Sequence, residues 1–365
     1  MFSSCPIIFS GHNDRAVVAL CRFFYKTGVS FFIIARHGLD IIYKTNWCKH
    51  VLFQRQDSSL TLSLFRDIAL KLKEKNLRPI FCPTSEFLNH FVLNNQKYIE
   101  KMGWDCVLPQ ISLYLELSDK FSSSNFIKSL IGLSSPPLQH FNDWVEPCVI
   151  KPKKNILNGK VLYPYLCYNR LEFNNALLSI KPSEWFCQKL IYGQSFYVCA
   201  YVDREGGFDC FWQENLMQQV NGKSIVLART TGNPGVDVGL FMKGLNAKGY
   251  FGPLMMELIR DRDSGQLFFI EVNPRFWGPL NLALKACPEM LFRFAKDYNL
   301  GFKEFFSSEN NQRQYWYSWS FGASSMPCIK YPGFYSAEKK YDIKSLIEKN
   351  DVYNSFDTKL LFNKY

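Results

Sequence analysis

Two neighbouring stretches decide the fold: Gly252-Pro253-Leu254-Met255-Met256-Glu257-Leu258-Ile259-Arg260-Asp261, and Leu267-Phe268-Phe269-Ile270-Glu271-Val272-Asn273-Pro274-Arg275-Phe276-Trp277-Gly278. Between them lies Arg262-Asp263-Ser264-Gly265-Gln266, which reads as a turn. Leu254 to Asp261 is apolar and strand-like, and Leu267 to Asn273 is a second strand that Pro274 stops. If Asp261 pairs with Leu267, the strands form an antiparallel hairpin and Glu257 lies directly opposite Glu271. Asn273, two residues along, then points to the same face. Opposed Cβ atoms sit about 4.5–5.5 Å apart, and two carboxylates there repel by about 3 kcal/mol at an effective dielectric near 20. A cation between them makes the arrangement favourable. All three candidate ligands offer hard oxygens, which suits Mg²⁺ or Mn²⁺ better than zinc. The alternatives are a lysine or arginine that neutralises the pair, or another register that leaves one glutamate in water.

Upstream, short apolar runs alternate with amphipathic stretches. Pro6-Ile7-Ile8-Phe9 predicts a buried strand, and Asn13 or Asp14 caps a helix running to about Lys26, where Gly28 stops it. Strands are expected at Phe31–Ala35, Pro79–Pro83 and Val107–Leu108, with helices at Leu62–Lys75 and Glu86–Asn94. Such alternation predicts a parallel sheet with helices on both faces. The first turn, Ser10-Gly11-His12-Asn13-Asp14, lacks the glycines of a dinucleotide fingerprint, so NAD binding is rejected; His12 reads first as a structural turn residue. Next come a helix at Phe121–Ile131, a linker at Ser134–Pro137, and a strand Pro147–Pro152 that carries Lys151 at its end. Lys153 to Lys160, with Asn155, Asn158 and Gly159, reads as a mobile loop, and Val161–Tyr165 as the returning partner strand. Trp185–Ile191 is another apolar strand, Phe196–Tyr201 continues the β pattern, and the chain after Leu280 is helical to about Leu300. The tail beyond Pro332 has no readable pattern.

Composition narrows the class. No segment reaches the roughly 18 uninterrupted apolar residues of a membrane span, and Met1–Gly11 reads as a first strand rather than a signal peptide. The 12 cysteines form no CxxC pair, and their scatter fits buried free thiols in a reducing cytoplasm. All five histidines lie within the first 140 residues, which excludes a His-based metal site drawn from the rest of the chain. A formal charge of +11 favours anionic partners without choosing among them, and no basic block marks a nucleic-acid arm.

The run from Phe269 to Gly278 resembles the C-terminal signature of the ATP-grasp superfamily, and Gly252–Glu257 resembles that family's upstream metal-binding strand. The similarity is greatest to the carbamoyl-phosphate-synthase-like and biotin-carboxylase-like branch of carboxylate–amine ligases. It extends from about residue 5 to residue 300. It implies an α/β and α+β ATP-grasp fold, with a Rossmann-like pre-ATP-grasp domain at 1–112, a small lid at 113–190 and a C-terminal antiparallel-sheet subdomain at 191–365. By this resemblance Glu257, Glu271 and Asn273 bind Mg²⁺ that bridges the ATP phosphates. Arg275 contacts the substrate or acyl phosphate, and Lys151 reaches the phosphates as a compact charge on a long stem. Lys120 contacts the nucleotide, and Gln188, Lys189 and Ile191 form the hinge that holds adenine through backbone groups. Three features depart from the pattern: the loop after Lys151 has few glycines, the hinge begins with Gln188 where the family often has Glu, and Ser195 stands where an acidic residue is common. Arg229 falls where such enzymes often contact the acceptor, and Trp277 reads as core or cleft wall. The implied reaction joins a carboxylate substrate to an amine substrate with conversion of ATP to ADP and phosphate. A nucleotide-binding module without ligase activity and an anionic-surface or nucleic-acid binder are the rival readings; a homodimer stays open.

Overall fold

The computed structural model describes residues 2–56, 59–142, 144–154, 156–157, 160–305 and 314–362. Asn155, Asn158 and Gly159, expected in a mobile loop, lie outside the described residues. Among the described residues eighteen strands follow one another: β1 Ser3–Phe9, β2 Phe32–Arg36, β3 Val51–Arg55, β4 Leu77–Phe81, β5 Asp105–Cys106, β6 Leu138–Gln139, β7 Cys148–Pro152, β8 Ile156–Leu157, β9 Lys160–Val161, β10 Tyr165–Cys167, β11 Trp185–Lys189, β12 Gly193–Val202, β13 Phe208–Gln219, β14 Ile225–Thr231, β15 Gly252–Asp261, β16 Leu267–Asn273, β17 Trp316–Ser318 and β18 Cys328–Lys330. They make a parallel five-stranded sheet in the order β3-β2-β1-β4-β5 and an antiparallel four-stranded sheet in the order β10-β7-β11-β6. A larger antiparallel sheet runs β16-β15-β12-β13-β14-β17, with β18 added against β13. This is the mixed α/β and α+β architecture expected from the sequence.

In the parallel sheet, β1 is buried from Cys5 to Phe9 because helices cover both faces. The helix Asp14–Thr27 ends at Gly28, whose φ of 73° an L side chain rarely adopts. Its start differs from expectation. Asn13 has a left-handed backbone and makes no side-chain cap; its Nδ2 instead donates to the carbonyls of Thr84 (2.8 Å) and Phe276 (3.3 Å). That amide ties the loops after β1, β4 and β16 together, at the carboxyl ends of parallel strands where α/β folds place ligands.

Other elements also move. The last parallel strand is Asp105–Cys106 rather than Val107–Leu108, and β3 joins the sheet although its sequence had no clear signal. The strand returning to β7 is Tyr165–Cys167 rather than Val161–Tyr165, because Lys160–Val161 pairs locally with Ile156–Leu157. The helices Ile111–Ser118 and Ser122–Ile131 fall largely within the lid expected at 113–190, and their Leu113, Leu117, Phe126 and Ile127 share a core with Val198, Met256, Phe269 and Val272 of the large sheet. The small sheet has its own core of Cys148, Ile150, Cys167, Phe173, Trp185 and Cys187. Gly193 links the two sheets. A Cβ there would lie 1.7 Å from the Arg260 carbonyl oxygen, so only glycine permits this approach. The tail forms helices at Pro332–Glu338, Ile343–Asn350 and Lys359–Phe362. It is anchored by Asp357, which pairs with the buried Arg22 at 2.9 Å and accepts from Trp47 Nε1 at 2.7 Å.

Candidate active site

Glu257 on β15 is opposite Glu271 on β16, but through a different register from the one expected. Leu267 pairs with Arg260, not Asp261, and in a regular ladder that would set Glu257 against Ile270. A β-bulge between Glu257 and Leu258 absorbs one extra residue on β16 and brings Glu271 across from Glu257, with Asn273 across from Met255. Bulges serve this purpose, re-aiming side chains at the cost of a local break in the ladder.

Lysines compensate the two carboxylates. Lys120 Nζ lies 2.7 Å from Glu271 Oε2, so a neutralising lysine is present, and it is one of the predicted site residues rather than a surface residue. Asn273 Nδ2 donates to Glu271 Oε1 at 2.7 Å. Burial pushes Glu271 up, but the charge and hydrogen bond of Lys120 and the Asn273 amide outweigh it, leaving this carboxyl below the ordinary range. Glu257 goes the other way, to about 8, through burial first and then the charge of Glu271. Burial opposes the Lys120 charge, yet Glu271 raises it above the usual lysine value. Lys151, only 7% exposed, is drawn down to about 8 by burial and by Lys120, against the pull of the two glutamates.

Glu257 has a second support that sequence reading missed. Ser195 Oγ donates to Glu257 Oε1 at 3.4 Å and accepts from Asn215 Nδ2 at 2.9 Å, and Gln213 Nε2 donates to Asn215 Oδ1 at 2.7 Å. The available signal was Gln213 and Asn215, two amides at alternate positions of a strand, flanked by Trp212 and Leu216. They must form a polar row inside the sheet, because buried amides need partners.

The carboxylate pair stands where two cavities meet. One, about 470 Å³, lies between the small and large sheets. Val149 and Leu166 wall it on one side and Ile259 and Ile270 on the other, with Lys151 and the backbone from Lys189 to Gly193 at its edges. The amides of Lys189 and Leu190 are bonded to the carbonyls of Pro137 and Pro147, while the Ile191 amide finds no partner among the described residues. Lys189 sends its side chain outward to Glu146, at 3.0 Å. Gln188 does not line this cavity; its amide is spent on the Pro136 carbonyl at 3.1 Å. The tail contributes Tyr331, whose hydroxyl donates to Gln218 Oε1, and Tyr335.

The second cavity, about 610 Å³, opens toward the parallel sheet and takes in His12, Thr84, Arg275 and Trp277. Arg275 donates to Asn273 Oδ1 at 3.0 Å and to the Phe276 carbonyl at 3.2 Å, and does not pair with Glu271. His12 packs against the Phe87 ring in a tilted pair, and burial followed by Arg55 and Arg36 lowers its pKa to about 4, so it is neutral near pH 7. Arg229 lies outside both cavities, paired with Glu214 at 2.7 Å and placed over the Trp316 ring.

A flat apolar slot with a free backbone donor at its edge suits a planar heterocycle, and two lysines at its inner end suit phosphates. Among the described residues no group of three or more His, Cys, Asp and Glu side chains is placed to hold a metal. Two carboxylates and an amide nevertheless fit Mg²⁺, which completes its shell with phosphate oxygens and water. None of the described helices is long and apolar enough to cross a membrane.

No family model and no curated protein matches the sequence. Solved structures do match it in shape. Biotin carboxylase from Campylobacter jejuni, in complex with β-γ-ATP, superposes with a TM-score of 0.59 at 15% identity, covering 85% of this chain and 73% of that one. The biotin carboxylase domain of 2-oxoglutarate carboxylase from Hydrogenobacter thermophilus, with MgADP, ADP and bicarbonate, gives 0.57 at 16% identity, covering 85% and 72%. L-amino acid ligase from Bacillus licheniformis gives 0.55 at 13% identity, covering 83% and 75%. With its parallel sheet, small antiparallel sheet and large antiparallel sheet arranged as in these structures, the chain has the ATP-grasp fold.

Proposed function

We propose that the protein is an ATP-dependent, Mg²⁺-requiring carboxylate–amine ligase. One observation carries this reading: the opposed Glu257 and Glu271, held by Lys120 and Ser195, sit at the junction of an apolar slot and a polar cavity. The slot accepts adenine, with the free Ile191 amide as donor and Ile259 and Ile270 against the ring. Lys151 and Lys120 direct their charges to the phosphates. Glu257, Glu271 and Asn273 would hold Mg²⁺, which when bound neutralises phosphate charge. Phosphoryl transfer needs mainly positioning and charge neutralisation, so no protein nucleophile is required. In the polar cavity Arg275 orients a carboxylate whose oxygen attacks the γ-phosphorus, and ADP leaves. An amine then attacks the carbonyl carbon of the acyl phosphate, phosphate leaves, and an amide remains after loss of a proton. The sheets of residues 1–112 and 191–365 frame that cavity, and the sheet of residues 138–189 closes the slot.

Calorimetric titration of ATP tests this. With Mg²⁺ present we expect binding, and chelation of the metal is expected to weaken it at least tenfold, roughly the loss of one charge-assisted contact. Absence of binding under both conditions would remove the ligase reading.

A further inference from the structure

The polar cavity is walled by groups that the protein itself leaves unsatisfied. Thr84 is fully buried and Trp277 is 1% exposed, yet the Thr84 hydroxyl and Trp277 Nε1 have no hydrogen-bond partner among the described residues. The same holds for His12 Nε2, Arg275 Nε and Trp319 Nε1, and all five residues line this one cavity. Buried polar atoms without partners are rare and unfavourable, so this wall is polar beneath its surface and suits a polar occupant.

The charges point the same way. Arg15, Lys223 and Arg275 line the cavity, and none has a carboxylate partner among the described residues. Arg15 donates to the Ile225 carbonyl at 3.0 Å and to Ser224 Oγ at 2.8 Å, with its guanidinium over the Trp319 ring. The Lys223 ammonium lies over the Tyr163 ring. Apart from the Glu257–Glu271 pair, the carboxylate there is Glu86, 3.6 Å from His90. Cations thus occupy two separate places: Arg275, just past the metal-binding strand, and Arg15 with Lys223, at the turn between β13 and β14.

We propose that this cavity recognises two carboxylates at once, one at Arg275 to be activated and a second held by Lys223 with Arg15 behind it. The roles of the two groups rest on the ligase reading; the binding does not. The second carboxylate has two sources, the far end of a dicarboxylic acid substrate or the α-carboxylate of an amino acid that supplies the amine.

The test is calorimetric titration of the full chain, without nucleotide, in two arms. One arm compares α,ω-dicarboxylates from succinate to adipate with their monoamides. The other compares L-alanine with L-alaninamide in the presence of acetate. We expect loss of the second carboxylate to weaken binding about tenfold in one arm, which identifies its source. Lys223→Gln is expected to erase that preference. Equal binding with and without the second carboxylate in both arms, or an unchanged preference in Lys223→Gln, overturns the proposal. Mg-ATP titration of the same proteins is read separately: its failure in the wild type removes the ligase reading and leaves the anion result standing.

Discussion

Glu271→Gln is expected to lower the rate of ADP release about 10³-fold or more and to leave the fold in place. Glu271 is the hub of its cluster, accepting from Lys120 and from Asn273, each at 2.7 Å, and facing Glu257 across the bulged ladder. The amide preserves the shape and an oxygen for Lys120 but removes the charge that a divalent cation needs. Loss of one partner from a buried pair usually costs about 3–5 kcal/mol. Here the loss is expected to be smaller, about 1–2 kcal/mol, because a second carboxyl stands beside it. Glu257 is held protonated partly by the charge of Glu271. Once that charge is gone, Glu257 ionises more readily and becomes the counter-ion of the two lysines. Single-turnover ADP release, read together with circular dichroism and the thermal midpoint, checks both halves. A folded Glu271→Gln protein that turns over at the wild-type rate would falsify the metal assignment.

The fate of this hairpin also shows what the sequence could and could not convey. The facing of Glu257 and Glu271 was legible because two carboxylates on neighbouring strands need a reason to be there. The bulge was not legible, since Ile270 looks like any strand residue and the extra position shows only when the ladder is paired. The expected register was one residue off at the turn, and the bulge compensated for it. Lys120 was readable as a site residue but not as the ion-pair partner of Glu271, because 151 residues of chain separate them and only the docking of Ser122–Ile131 on β16 brings them together. Strands β13 and β14 escaped notice because they carry Gln213 and Asn215 on one face and the Glu214–Arg229 pair on the other, which break the apolar alternation that marks a half-buried strand. The tail was opaque for a similar reason. Its cores are small and are completed by contacts far away, such as Arg22 with Asp357 and Tyr331 with Gln218. Gln188 shows the opposite limit: the sequence placed it beside the cavity with Lys189 and Ile191, while its side chain serves the linker at Pro136.

Lys151→Met should separate stability from function in opposite directions. Lys151 is the penultimate residue of β7, with its side chain buried beside Lys120, and its pKa falls from 10.5 to about 8 through that burial and that neighbour. A shift of this size means that the folded protein disfavours the ammonium by about 3 kcal/mol at pH 7. Methionine fills a similar volume without the charge and adapts to an irregular site. The Lys120–Glu271 pair survives, and Glu257 keeps its proton near neutrality. Nucleotide-free Lys151→Met is therefore expected to be more stable than wild type by about 3 kcal/mol, measured by denaturant unfolding. The pH dependence follows from the same linkage. Between about 8 and 10.5 the unfolded chain binds a proton at this lysine that the folded chain does not, so wild-type stability rises with pH across that window. The advantage of the variant is complete below pH 8, shrinks through the window and is gone above it. Mg-ATP affinity moves the other way, weakening about tenfold to a hundredfold with the loss of one charge-assisted phosphate contact. Stability kept low by a buried lysine is what a site poised for an anion would show. If Lys151→Met proves less stable than wild type and binds Mg-ATP equally well, the ammonium is a structural counter-ion of the glutamates and the phosphate role passes to Lys120 alone.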